Sequence, residues 1–451
     1  MGGLRSFLLA GVGPVRGPLA ASGLRGLKWR LAEDPLEADL LVLAGLPGPR
    51  LTTALLELRG QLPRHIETLW VTESGSGVDP ALGAALSAHA PLRITPTDRA
   101  ADVATLAAAG QAFADLGGAS ELITAPLPRL VELDGVGDLA SEDLVLSLGP
   151  LHPALATPIR LILALDGEQI RDVVRDPGYA ARPIAPGAGL AARLDPDAPV
   201  AAGVTEALLH GGISDIYPLI AACERERAAL LLHACARHLW LIGMVPAARE
   251  LQTAADAARD GQPLPMHVPA FLHALRQRSA MRLRMRGVGV IGRSAAERAR
   301  LRGPVGRASG VGDDARADGT LAAAYDRLGG IALTDAPVAG DDAARFARRL
   351  LEADRALVLA AAADRADPVA MTRQDRIELE APRGRLIVVR EKDGSFRVDP
   401  PSSALLDLLP AALIGARYAD AVVTVDGFDA SAEEAEQAEQ KAARPSAERA
   451  A

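Results

Sequence analysis

Thiols are the scarcest reactive groups in this sequence: among 451 residues only Cys223 and Cys235 carry one. A cysteine-ligated iron–sulfur cluster needs about four thiolates. The two here fall on one predicted helix, about 18 Å apart at roughly 1.5 Å per residue, so they cannot share a metal within one chain. A disulfide scaffold is excluded too, and both read as small buried hydrophobes. The second distinctive group is arginine set among glycines, in Gly287 to Arg316, GVGVIGRSAAERARLRGPVGRASGVGDDAR. Glycine at that density serves positive φ or close main-chain approach, which predicts a tightly folded loop. From Arg276 through Arg307 there are ten arginines. Such a stretch grips an anionic ligand, nucleic acid or an acidic partner, or it is a solvated or partner-facing helix and loop. The third group is Gly75, Ser76 and Gly77, whose backbone N–H groups suit an anion nest and so a cofactor phosphate. The plainer reading is a strand-to-helix turn before Asp79-Pro80.

The elements that position these groups fall into two styles. Residues 1–138 alternate short apolar runs with helical spacing: strands at ADLLVLAG (38–45), IETLWVTE (66–73) and PLRIT (91–95), with helices between and after them. That order predicts a small, doubly wound parallel sheet, with ligands beyond the carboxyl ends of its strands. After a connector with two prolines and several glycines, EDLVLSLG (142–149) and IRLILAL, with a turn at Asp166-Gly167, predict an antiparallel β start. Residues 203–283 have three- and four-residue apolar spacing and predict a bundle of three or more helices. The alanine-rich helix of 317–367 offers no catalytic group in this reading. RIELEAPRGRLIVVREKDGSFRVD then returns to antiparallel β, with Asp393-Gly394 at a hairpin. The fold class is thus α/β plus α+β, with domains at 1–138 and 139–430 and a charged, disordered tail at 431–451.

Composition narrows the function. A formal charge of −8 and 3% aromatic residues disfavour general nucleic-acid binding. No apolar run reaches the roughly 18 residues of a membrane span, so membrane association has to go through partners. SFLLAGVG near the start is short for a signal sequence, and the chain reads as cytoplasmic.

Several of these stretches together resemble known families. GVGVI, GPVGRASGV and DDAR are similar to a strand, turn and D-x-R element of the D subunit of respiratory complex I and of the large subunits of membrane-bound nickel–iron hydrogenases. So are GPLHPALATPIRLILALDGEQIRDVVRDPGY (149–179), CERERAALLLHACARHLWLIGM with Glu224, Arg227, His238 and Gly243, and Glu380-Ala381-Pro382-Arg383-Gly384. YADAVVTVDGFD, with Asp420 and Asp429, continues the likeness. Residues 38–45, Trp70-Val71 and Gly75-Ser76-Gly77 resemble the complex I B subunit, related to hydrogenase small subunits, whose cluster cysteine falls on Gly77. The other cysteines of that family, and both C-x-x-C pairs of the hydrogenases, have no counterpart.

The resemblance implies a B–D fusion subunit of a complex I-like or hydrogenase-like, ion-translocating membrane assembly. It is structural, with no cofactor and no metal of its own. Its implied partners are membrane-arm subunits, with no nucleic acid and no span of its own, and its place is the inner face of the cell membrane. An alternative is an active NADH-quinone oxidoreductase-like subunit holding quinone between its halves. His152, Glu380, Asp313 and Arg307 are then the catalytic candidates for quinone or proton, since a quinone needs a proton donor within hydrogen-bonding reach. Against it, the second family histidine falls on Ala156. His152 also reads as a ring packed beside Pro150 and Pro153, Glu380 as an exposed strand-end carboxylate, and Glu224 with Arg227 as an i,i+3 ion pair. A third reading is an anion- or nucleotide-binding module using Gly75–Gly77 and the arginine loop.

Overall fold

A computed structural model describes residues 6–11, 30–31, 40–44, 52–56, 67–73, 92–94, 104–105, 108, 144–149, 160–176, 215–262, 264–265, 267–278, 283–312, 314–330, 337–370, 375–392, 396–399 and 405–428. It is a mixed α/β structure with a small parallel sheet, a helical bundle and antiparallel strands. The chain divides into two compact units, Met1–Ile184 with Ala430–Ala451, and Ala185–Asp429.

The first unit holds a parallel sheet of Ser6–Gly11 (β1), Arg30–Leu31 (β2), Leu40–Ala44 (β3), Glu67–Glu73 (β4) and Leu92–Ile94 (β5), in the order β2-β1-β3-β4-β5. Leu40, Leu41, Val42 and Leu43 are all buried, as a strand covered on both faces requires. The sequence reading places β3, β4 and β5; the structure adds β1, from the SFLLAG run weighed above only as a signal sequence. A short apolar run has no period to declare itself, and β1 is fixed by pairing with β3, Phe7 against Leu40 through Gly11 against Ala44. Strand order reverses between β1 and β3, the topological switch point of a sheet of this kind.

The same unit carries an antiparallel sheet of Leu144–Leu148 (β6), Arg160–Asp166 (β7) and Gln169–Asp176 (β8), with β7 in the middle. Arg160 through Leu165 are all buried. The hairpin closes at the Asp166–Gln169 pair, with Gly167 at φ 62°, the left-handed region glycine enters without penalty.

The second unit is built on two long helices, Tyr217–Leu241 (α1) and Asp342–Ala363 (α8). Around them lie Val245–Arg259 (α2), Val268–Gln277 (α3), the short helices Arg293–Arg298 (α4), Gly303–Ala308 (α5), Ala315–Asp318 (α6) and Ala322–Arg327 (α7), and Leu405–Leu413 (α9) with Tyr418–Phe428 (α10). Arg376–Ala381 (β9), Gly384–Arg390 (β10) and Phe396–Asp399 (β11) form an antiparallel sheet. Prolines at the first turns of α1, α2 and α3 start those helices where a missing N–H costs nothing. Asp341 caps α8: its carboxylate accepts from Ala344 N–H at 2.8 Å and from Gly287 N–H at 2.9 Å, tying the glycine loop to the helix start.

Two apolar clusters share α1. Ile216 to Cys223 pack with α7, β9 and β10. Ala229 to Ile242 pack with α2, α3 and α8. Between them along the helix stand Glu224 and Arg227, both fully buried. The GVGVI run, a strand by family likeness, is a chain of turns, with Gly287 at φ 75° and Gly289 at φ 57°. Gly289 faces Thr424 and Arg345 so closely that any side chain would collide.

Candidate functional site

The site grows from the junction of α5 with the β9–β10 turn. A Cβ on Gly303 (φ 63°) would fall on the Arg383 carbonyl, and one on Gly384 (φ 133°) would meet Arg302 and Gly303. Two glycines thus let main chain lie on main chain, and that contact carries Arg307, one turn further along α5, to β9. There the guanidinium donates to Glu380 (2.8 Å) and to both oxygens of Glu352 (2.8 and 2.7 Å). The two-point pairing with Glu352 is the strongest geometry an arginine and a carboxylate make. The second Glu380 oxygen accepts from Ala315 N–H at 3.0 Å, at the start of α6. From α1, Arg227 donates to Glu352 as well.

A second layer surrounds this pair of carboxylates. Arg316 grips Asp314 at two points, 2.9 and 2.7 Å. Its other nitrogen stands 3.6 Å from Glu224, which also accepts from the Tyr325 hydroxyl at 2.9 Å. The expected Glu224–Arg227 pair exists at 3.9 Å, but each partner is held more closely by a residue far away in sequence. Six elements, α1, α5, α6, α7, α8 and β9, therefore meet through charge in addition to the apolar clusters on either side. Counting Arg348, one turn before Glu352, four guanidiniums accompany four carboxylates.

The carboxylates differ. Burial opposes the ionised form of Glu352, but Arg307 and Arg227 outweigh it and hold it below the usual carboxylate range. Burial pushes Glu380 up, and Arg307 offsets this only in part. Asp314 is raised by burial and lowered further than that by Arg316 and Arg307, ending well below the ordinary value. Arg307 would be depressed by burial, yet Glu352 and Glu380 hold it well above its ordinary value. Glu352 is thus held toward its ionised form, and Glu380 is shifted the other way.

A separate cluster fastens α10. Asp426 accepts from Arg237 and lies 3.0 Å from His238 Nδ1, while Arg349 donates to the Gly427 carbonyl at 2.8 Å. Burial opposes the charge of Asp426, but Arg237 and His238 hold its carboxyl below the usual range. His238, one of the family-matched positions, is therefore a structural clamp between α1 and α10.

Of the sequence-predicted catalytic residues, Arg307 and Glu380 meet here. Glu380 is buried at 3% exposure and is not a strand-end carboxylate in solvent. Their hydrogen bonds run to protein groups inside the network, so their geometry is that of an interior brace. His152, Asp313, Gly75, Ser76 and Gly77 lie outside the described residues, as do Asp393 and Asp429. Glu352 was missed: the alanine-rich helix of 317–367 was read as chemically silent, and its hub is there. The available signal was a glutamate on the arginine-rich stripe Arg345, Arg348, Arg349 of an otherwise apolar helix face. Cys223 and Cys235 are both buried, and burial, reinforced by Glu224 and Glu226, pushes the Cys223 thiol far up. Among the described residues no group of three or more histidine, cysteine, aspartate or glutamate side chains is placed to hold a metal.

These features define a two-unit α/β chain whose helical unit is centred on a closed arginine–carboxylate network. Neither a protein-family model nor a curated protein matches it. Among solved structures it is similar to a chain in the structure of the membrane-bound sulfane sulfur reductase (MBS), an archaeal respiratory membrane complex. The TM-score is 0.51 at 17% identity, over 66% of this chain and 99% of that chain. At that identity the likeness is one of fold.

Proposed function

We propose that the chain is a degenerate fusion subunit of a complex I-like or hydrogenase-like membrane assembly, joining a B-subunit-like part (1–138) to a D-subunit-like part (139–430). It serves as a structural member without an iron–sulfur or nickel–iron centre of its own. The observation that carries this reading is the buried network at the centre of the helical unit, where Arg227, Arg307 and Arg316 pair with Glu352, Glu380 and Asp314. A redox centre of this superfamily needs thiolates, and the two cysteines present are buried, Cys223 in one apolar cluster of α1 and Cys235 in the other. The fold likeness to a chain of a respiratory membrane complex supports membership of such an assembly. Almost all of that chain is covered by only 66% of this one, which agrees with a further part joined to a D-like core. Covalent linkage raises the effective concentration of one half for the other and so preserves an interface after its cluster is gone. Among the described residues no helix is long and apolar enough to cross a membrane, which fits a peripheral position on the inner face, held by membrane-arm subunits.

Extraction of native membranes in mild detergent, followed by affinity isolation of the full chain, tests this reading. Integral membrane subunits in fixed ratio to the chain are the expected result. A chain recovered alone from the soluble fraction would overturn it.

A further inference from the structure

The arginine loop is not used up by the buried network. Of the ten arginines between Arg276 and Arg307, Arg307 is consumed inside and Arg293 pairs with Glu297 at 2.8 Å. Arg286, Arg298 and Arg300 are exposed, and none has a carboxylate partner among the described residues. One glutamate, Glu297, is the only acid in the whole stretch, in a chain of net charge −8.

Apolar surface lies beside them. Val290 is 50% exposed and Val338 is 61% exposed. They belong to two segments held together by the Ile291 N–H to Gly340 carbonyl bond of 2.9 Å and the Asp342 N–H to Val288 carbonyl bond of 3.0 Å. The backing is rigid: Gly340 is packed against Ile291 without room for a Cβ, and Asp341 holds Gly287. Helix α4 carries the chain from this pair of valines to Arg298, roughly 9 Å along its axis at about 1.5 Å per residue. Arg300, the one non-glycine described residue with positive φ (52°), follows directly. Along the chain Arg286 precedes Val290 by four residues, and Arg298 and Arg300 follow it within ten.

From this arrangement we infer that the Arg286–Val290–Arg298–Arg300–Val338 face is the docking surface for an acidic segment of a partner protein. The inference rests on the assembly membership proposed above and names the chemistry of one contact within it. Charge complementarity selects the occupant: unpaired guanidiniums around apolar side chains match carboxylates flanking an apolar anchor, and arginine is the cation that pairs at two points with carboxylate in such interfaces. A lipid surface is a poorer match, because no amphipathic helix of length presents these groups; they sit on turns and a six-residue helix.

The test places a photo-crosslinking residue, Val338→p-benzoylphenylalanine, in the full chain expressed in its native host, with irradiation of intact membranes. The expected adduct is a peptide of another protein carrying net negative charge. The triple variant Arg286→Glu, Arg298→Glu, Arg300→Glu should lower its yield at least ten-fold, and Arg→Gln at the same three positions should lower it less. These residues are exposed, so unchanged circular dichroism and thermal midpoint check that the variants fold. An adduct only with lipid, an adduct with a second copy of the chain, no adduct, or a yield insensitive to charge reversal would each overturn the inference. Those outcomes leave assembly membership standing if the chain still isolates with membrane subunits. A chain that isolates alone instead removes the reading beneath it.

Discussion

Replacing Arg307 with methionine keeps most of the side-chain volume and removes the charge that two buried carboxylates depend on. Glu380 would retain one donor, Ala315 N–H at 3.0 Å, and Glu352 would retain Arg227. Breaking one partner out of a buried ion pair costs about 3–5 kcal/mol, because the remaining charge stays in the interior. For a unit of this size each kcal/mol lowers the midpoint by about 2–4 °C, so a fall of roughly 10 °C is expected at pH 7. The penalty should shrink in acid. In the parent protein Glu352 is depressed, so its stabilisation is complete above the unfolded value of about 4.3 and is lost as pH falls through the folded value. In the variant both carboxylates are raised, and their cost is relieved as pH falls and they take up protons. Urea unfolding followed by circular dichroism at pH 7 and pH 5 measures both effects. Hydrogen exchange on peptides of α1 and α8 assigns the loss to the second unit. A penalty under about 1 kcal/mol at pH 7, or one that does not diminish at pH 5, would refute the claim that this network braces the helical unit.

The other predictions follow from the same contacts. Glu352→Gln should cost about 3 kcal/mol at pH 7, and Glu380→Gln under about 1 kcal/mol, since burial already favours the neutral form of the latter; equal costs in chemical denaturation would contradict the assignment of the fixed anion. Gly303→Ala should cost more than about 3 kcal/mol, combining a left-handed backbone with collision against Arg383, whereas Gly310→Ala (φ 76°, with only an ordinary contact to Arg293 Cδ at 3.9 Å) should cost only about 1–2 kcal/mol; thermal melts of the pair separate collision from strain. Cys223 and Cys235 should be unreactive to a thiol reagent in the native protein and should both react after denaturation; rapid native labelling of either would place a thiol where packing does not.

Much of the architecture was legible because it is local. The strand at Leu40–Ala44, the long helices with their three- and four-residue periods, and the hairpin at Gly167 each carry their own signal within a dozen residues. What was not legible depends on distant partners. β1 declares itself only by pairing with a strand some thirty residues on, and β7 takes its central place between β6 and β8 in the same way. The glycine run was read correctly as special backbone, yet its purpose, laying α5 against the β9–β10 turn, needs Arg383 and Gly384 from eighty residues away. Arg307 and Glu380 were singled out through family likeness as groups for quinone or proton. The structure brings them together but binds them to Glu352, whose local signal is its place beside the arginine stripe Arg345, Arg348, Arg349 and whose partners lie far away in sequence.

The most direct measurement of the central claim is the iron and nickel content of the purified full chain, combined with its electron paramagnetic resonance spectrum under reduction. The account predicts sub-stoichiometric metal and no cluster signal belonging to this chain, with the helical unit fully folded. Stoichiometric iron with a reducible thiolate-cluster signal that persists after the chain is separated from its partners would contradict it.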